Sequence, residues 1–408
     1  MGKKQTINRR SFFSKCIQGF GVVGTIGMMD GKYPSIGIQT PSKEKGEIIY
    51  RTLGKTGLKM PVISMGVMNA DIPDVVAKSY KQGVRHFDTA WTYQRGRNEE
   101  MVGDVIKTFG VRDKVSIATK IYIKDVTKGK TGAELKDIFL ERFQQSLNRL
   151  KMDFVDILYL HNVDNTAQLN VPEIKDAFKQ LQKNKKIRHI GFSTHSNMAE
   201  MVNEALKTDF WEVILVAYNF AMSDDEVLSK ALQDASTKGI GLVGMKTQAG
   251  GSWWRQTAPN SDKLTKELNQ TAMLKWVMRH QFITTSIPGY TNFQHMEEDF
   301  SVAYDLNYTP EEKKFLQDRD IKFSLGFCRQ CKQCVHTCPK GVDIPTLMRV
   351  HMYMYQYHNV EHAYATYQGI HNGKNLNQCL ICSACTVRCD NNIQVTQKMD
   401  ALKNLSLS

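Results

Sequence analysis

The sequence predicts an α/β protein built as a (β/α)₈ TIM barrel, with a small, mostly helical, ferredoxin-like domain at its C-terminal end. Three observations carry that prediction. From residue 47 onward, eight short apolar segments alternate with stretches of helical periodicity. Those units fill about 250 residues, the usual extent of such a barrel. Of the nine cysteines in 408 residues, only Cys16 precedes residue 328, so the other eight mark a separate module.

The first element, residues 1–46, is a leader and linker. Asn8-Arg9-Arg10-Ser11-Phe12-Phe13 with Lys15 forms a charged start, and a weakly apolar stretch holding Gly19, Gly21, Gly24 and Gly27 follows it. The pattern resembles a twin-arginine export signal, a route that carries folded passengers and points to a periplasm or cell-envelope surface. A disordered basic leader is the plain alternative. No clean small-residue cleavage site follows, so cleavage and membrane association stay open. Nearly half of the net charge of +13 sits in these residues: eight Lys or Arg against two acids. The rest forms no basic block, which argues against a nucleic-acid partner. No apolar run reaches the roughly 20 residues of a membrane span.

The barrel is expected over 47–322. Strands are predicted at 62–66, 86–90, 115–119, 154–161, 189–193, 213–219, 241–246 and 284–289, and helices include 74–82, 135–150 and 226–238. Near-continuous apolar strands such as Val155-Asp156-Ile157-Leu158-Tyr159-Leu160 suit a parallel sheet covered by helices. A doubly wound open sheet is the alternative, but no Gly-x-Gly-x-x-Gly follows the first strand. Barrel enzymes draw their reactive groups from strand C-termini. There stand Asp88, Tyr93, Lys120 and His161. Asp88 can hold Lys120, the lysine's charge is expected to lower the pKa of Tyr93, and His161 can aim a substrate carbonyl at the phenol.

Gly83-Val84-Arg85-His86-Phe87-Asp88-Thr89-Ala90-Trp91-Thr92-Tyr93, followed by Glu99-Glu100-Met101-Val102-Gly103, resembles the aldo-keto reductase signature. Ala118-Thr119-Lys120, Leu158-Tyr159-Leu160-His161-Asn162 and Ile287-Pro288-Gly289 fall in the family's order. The resemblance implies an NAD(P)-linked enzyme that interconverts a small-molecule carbonyl and an alcohol, with Asp88, Tyr93, Lys120 and His161 as its tetrad. It also implies cofactor contacts. Family members usually have Ser-Asn after the fifth strand for the nicotinamide amide; here the run is Ser193-Thr194-His195. Gly289, Tyr290, Thr291 and Asn292 would form a phosphate loop at a helix N-terminus. Lys246 is a further cofactor candidate. Gly289 and His295 replace the basic residues that usually grip a 2′-phosphate, so a strong preference for NADP is not expected.

The last element, 323–408, holds the repeated spacing Cys328-x₂-Cys331-x₂-Cys334-x₃-Cys338-Pro339 and Cys379-x₂-Cys382-x₂-Cys385-x₃-Cys389. Three thiolates of one run wrap a cubane and the fourth crosses to the other cluster. Cys328, Cys331, Cys334 and Cys389 are thus expected to hold one [4Fe–4S] cluster, and Cys379, Cys382, Cys385 and Cys338 a second. Zinc and disulfides are the alternatives, but zinc sites group cysteines in pairs. Residues 347–367 read as helices on which His351, His358 and His362 are packing or surface groups.

Together these features predict an exported oxidoreductase whose clusters exchange electrons with a redox partner. Hydride moves two electrons and a cluster one, so a flavin is a candidate bridge. The alternative is an electron-transfer or docking protein with an inert barrel.

Overall fold

The computed structural model describes residues 46–124, 129–250, 268–318, 321, 325–382 and 384–403. The leader and Cys16 lie outside these residues.

The chain opens with a two-stranded antiparallel hairpin, β1 (Tyr50–Thr52) and β2 (Lys59–Pro61). Eight parallel strands follow in sequence order: β3 (Met65–Gly66), β4 (His86–Asp88), β5 (Ser116–Ile121), β6 (Val155–Val163), β7 (Ile187–Thr194), β8 (Val213–Ala217), β9 (Gly241–Met245) and β10 (Thr285–Ser286). Every strand pairs with its chain neighbour, and parallel bridges Ile63 to Ser286 and Gly66 to Gly289 close β3 onto β10. The predicted barrel is present. Its two seam strands are shorter than the sequence suggested, because isolated bridges rather than a continuous ladder join them.

The apolar interior divides into two parts. Residues on the outer strand faces pack under the helices. A smaller cluster fills the barrel itself with Ala118, Ile157, Tyr159, Val213, Leu215 and Val243. Leu53 and Met60 of the hairpin join that inner cluster at 0% and 1% exposure, so the hairpin plugs the end opposite the strand C-termini. Gly191 serves this packing directly. A Cβ there would stand 2.6 Å from both the Tyr159 ring and the Val213 carbonyl oxygen, so only glycine leaves space for the tyrosine.

Beyond the barrel, two helices cross the open mouth: Ile344–Tyr355, capped by Asp343 with Pro345 in its first turn, and Val360–Gln368, capped by Asn359. Polar contacts fasten them to the loops below. Asn359 Nδ2 donates to Asn69 Oδ1 at 3.0 Å, Glu361 pairs with Arg95 and Arg97 at 2.8 and 3.0 Å, and Arg329 pairs with Asp224 at 2.7 Å. The cysteine-bearing module is therefore the roof of the barrel mouth rather than an appendage.

Candidate active site

Beneath that roof lies a cavity of about 260 Å³ that runs from Asp88, Lys120 and His161 past Lys246 to Gly289, Thr291 and His295. Asp88 ends β4 and Lys120 lies one residue before the end of β5, both at the barrel's C-terminal rim. Tyr93 is delivered by a backbone device. Gln94, Arg95 and Gly96 all take positive φ (49°, 54° and 93°), turning the chain sharply after the tyrosine. Strain of this kind concentrates at functional loops. His161 sits where the register between β6 and β7 slips, and Asn162 beside it also has positive φ. The bulge re-aims the imidazole into the cavity, and Ser193 Oγ pins it by accepting the Asn162 N–H at 2.8 Å.

The four predicted groups meet. Lys120 Nζ donates to Asp88 Oδ1, to the Thr89 carbonyl at 2.7 Å and to the Tyr93 hydroxyl at 3.5 Å. The rings of Tyr93 and His161 meet edge to face at 6.0 Å between centroids. Lys120 and Asp88 are 1% and 2% exposed. Burial pushes the lysine down and the carboxyl up, while their mutual attraction opposes both shifts.

One sequence expectation is corrected here. The sequence predicts a Tyr93 pKa lowered by Lys120; instead burial, then Asp88, Tyr353 and Tyr357, hold that pKa well above its ordinary value. The lysine's charge is spent on Asp88 in direct contact, and the phenol sees it only from 3.5 Å. Tyr93 thus keeps its proton and is suited to give one. His161 is held well below its ordinary value by burial and then by Lys120, so it stays neutral; its Nδ1 is buried without a partner.

The predicted cofactor positions divide. Ser193, Lys246, Gly289 and Thr291 line the cavity. Thr194 does not: its hydroxyl donates to the Ser196 carbonyl at 3.1 Å, as neighbours along a strand point to opposite faces. Tyr290 is fully buried and donates to the Ser64 carbonyl at 3.0 Å. Asn292 caps the helix Phe293–Ser301 by accepting the His295 N–H at 2.9 Å. Both serve the fold.

Sequence reasoning missed four lining groups. His195 faces the cavity, two places after Ser193 on the same side. Arg349, Tyr353 and His362 enter from the roof. His362 is no surface histidine: its ring lies 5.7 Å from that of Tyr93 and 4.4 Å from that of Tyr353, and burial first, then Lys246, takes it down to about 3. The signal was present in the helix Ile344–Tyr355, where Arg349 and Tyr353 recur at i and i+4 among apolar residues.

The cysteines form two neighbourhoods. Burial pushes the Cys328 thiol up to about 12, with Cys334, Cys331 and Cys389 adding to it. Burial pushes Cys379 up to about 11, helped by Cys338, Cys382 and Cys385. The thiols that act on one another thus follow the crossed grouping that the spacing predicts, three of one run with the fourth of the other. Among the described residues no three His, Cys, Asp or Glu side chains converge as ligands of a single ion. Cys328 also lines a small cavity that shares His195, Lys246 and Arg349 with the large one, so one cysteine group adjoins the site.

Residues 66–318 match the Aldo/keto reductase family, and residues 327–393 match the 4Fe-4S dicluster domain. L-glyceraldehyde 3-phosphate reductase of Escherichia coli O157:H7 is 23% identical over 323 residues, spanning 65% of this chain and 91% of its own. An aldo-keto reductase from Bacillus halodurans, in its holo form, has the same fold at a TM-score of 0.52 and 20% identity, over 66% of this chain and 96% of that one. So does an aldo/keto reductase from Klebsiella pneumoniae in complex with NADP and acetate, at 0.50 and 22%, over 66% and 94%. The chain belongs to the aldo/keto reductase family, and it is an aldo-keto reductase-type oxidoreductase that carries a 4Fe-4S ferredoxin domain.

Proposed function

We propose that this oxidoreductase interconverts a carbonyl and an alcohol under the roof of the cysteine module, and that it works outside the cytoplasm after twin-arginine export. One observation carries the chemistry: a proton-bearing Tyr93 in hydrogen-bond reach of Lys120, which Asp88 and the Thr89 carbonyl hold in place. In the reductive direction Tyr93 gives its proton to the carbonyl oxygen, and Lys120 steadies the phenolate that remains. Neutral His161 donates a hydrogen bond that orients the carbonyl. The roof keeps water from this step.

The elongated cavity and the bare Gly289 backbone fit a dinucleotide, with Ser193, Gly289 and Thr291 as the residues that would hold it. Among the described residues at the Gly289 and Thr291 end no Lys or Arg lines the cavity, and burial lowers His295 toward neutrality, which favours NAD over NADP. When bound, the nicotinamide supplies or takes the hydride, and the clusters move single electrons to or from an outside partner. Cys328 reaches the cavity wall, whereas Leu380 and Ile381, between Cys379 and Cys382, are 62% and 68% exposed. That order supports the cluster of Cys328 as the inner one and that of Cys379 as the outer one.

The test is Tyr93→Phe in anaerobically purified protein, assayed on the best substrate of a panel of sugars, polyols and their oxidised forms. Turnover should fall by roughly 10² to 10⁴; unchanged turnover would leave the barrel as an inert scaffold. Mass spectrometry of the denatured protein identifies NAD, NADP or flavin. Export is tested by changing Arg9 and Arg10 to Lys, which should hold the protein in the cytoplasm.

A further inference from the structure

The cavity wall opposite Asp88 carries charge that the tetrad does not use. Arg349, 8% exposed, places Nη1 at 3.2 Å from Asn162 Oδ1 and at 2.7 and 2.6 Å from the two ring nitrogens of His195. Its Nη2 donates to Thr346 Oγ1 at 3.2 Å, and its Nε is buried with no partner. All of these partners are neutral, since burial, then Arg349 itself, holds His195 well below its ordinary value. Among the described residues Lys246, just past the end of β9, donates only to the Tyr353 hydroxyl, at 3.1 Å.

Three carboxylates border the same cavity, and each is committed elsewhere. Asp88 holds Lys120, Asp164 pairs with Lys124 at 2.9 Å, and Asp343 accepts the Thr346 N–H at 3.2 Å as a helix cap. Among the described residues neither Arg349 nor Lys246 has an ion-pair partner. Arg349 is buried and Lys246 half-buried, and the carboxylate that Arg349 influences, Asp164, is already paired with Lys124; cations so placed are costly unless a ligand supplies the counter-charge. Burial drives Tyr93, Tyr159 and Tyr290 well up, yet Tyr353, equally enclosed, is brought below its ordinary value by Lys246 and then Arg349.

We propose that Arg349 and Lys246 form an oxyanion subsite beside the tetrad, so that the substrate is a small oxo or hydroxy acid whose carboxylate rests on these two cations. The guanidinium presents the planar fork that carboxylates prefer. Arg349 contacts Asn162, next in the chain to His161, which puts the subsite at the reacting end of the cleft rather than at Gly289 and Thr291. The proposal rests on the tetrad reading for which carbon reacts, but anion binding itself does not.

The same chemistry would hold the pyrophosphate of a dinucleotide, so the experiment has an arm for each source. Full-length protein with its clusters intact is titrated calorimetrically with glycolate, D-glycerate and D-gluconate. Each is matched with its neutral counterpart: ethylene glycol, glycerol or D-glucitol. Inorganic pyrophosphate is the remaining probe. At least one carboxylate should bind roughly tenfold tighter than its neutral counterpart. Lys246→Gln should abolish that ratio and Lys246→Arg should keep it, with iron content matching the unaltered protein in both. Equal binding of acid and neutral counterpart, or no binding by any carboxylate, overturns the proposal. So does pyrophosphate binding that disappears in Lys246→Gln while every carboxylate is ignored. Tyr93→Phe should retain the full preference for carboxylates, so a failure of the tetrad reading shows in turnover alone and leaves this test intact.

Discussion

Replacing Asp88 with Asn should destabilise the barrel, and the structure says by how much. Lys120 Nζ is 1% exposed and has three neighbours: Asp88, the Thr89 carbonyl and the more distant Tyr93 hydroxyl. Removing one partner of a buried pair typically costs about 3–5 kcal/mol. Two neutral acceptors remain for the ammonium, and burial already favours its neutral form, so the lower end of that range applies. At about 2–4 °C per kcal/mol for a domain of this size, a loss of about 3 kcal/mol lowers the melting temperature by roughly 6–12 °C. The companion variant Asp88→Asn/Lys120→Met removes both charges and leaves no ammonium to strand. It should melt well above the single variant, because replacing a whole buried pair with apolar groups is often nearly neutral. The double variant should lose turnover, since it has no lysine to steady the Tyr93 phenolate. The assay is calorimetry on cluster-replete protein under nitrogen. A single-variant shift under about 2 °C, or a double variant as unstable as the sum of its parts, would refute the idea that Asp88 exists to neutralise a buried lysine.

Two further outcomes follow from the same geometry. Because Tyr93 is held well above its ordinary value and His161 well below, reductive turnover should show no inflection near pH 6.5 and none below about pH 10, and a pH–rate profile checks this. The sign runs one way: a raised phenol keeps its proton as pH rises, so only strongly alkaline solution removes the acid. For the clusters, Cys338→Ser should perturb the signals of the Cys379 group and Cys389→Ser those of the Cys328 group, each variant falling from about eight iron atoms toward four. Paramagnetic resonance with iron counts decides this, and loss within the same run instead would refute the crossed grouping.

What was legible in the sequence was what local spacing controls. Strand order and the tetrad positions followed from apolar segments and the residues at their ends. The cysteine runs followed from spacing alone. The hairpin that plugs the barrel was missed because its strands, three residues each, carry no period that can be counted. Thr194 was placed in the site beside Ser193 although alternate residues of a strand face opposite ways; that rule points to Ser193 and His195 instead.

The larger gap concerns the relation between the two modules. Nothing local in residues 344–369 says that they close a cavity whose other walls lie some 200 residues earlier. The choice of Arg349, Tyr353 and His362 makes sense only once they stand over Tyr93 and Lys246. The module that carries the cysteines also lines the cavity of the reacting groups: beside burial, Tyr353 and Tyr357 help to raise the pKa of Tyr93, and His362 helps to lower that of His161. Cys328 in turn lines a small cavity that shares His195, Lys246 and Arg349 with the large one. The cysteine group and the reacting groups thus share the side chains that stand between them, which is why neither half of the sequence reads completely without the other.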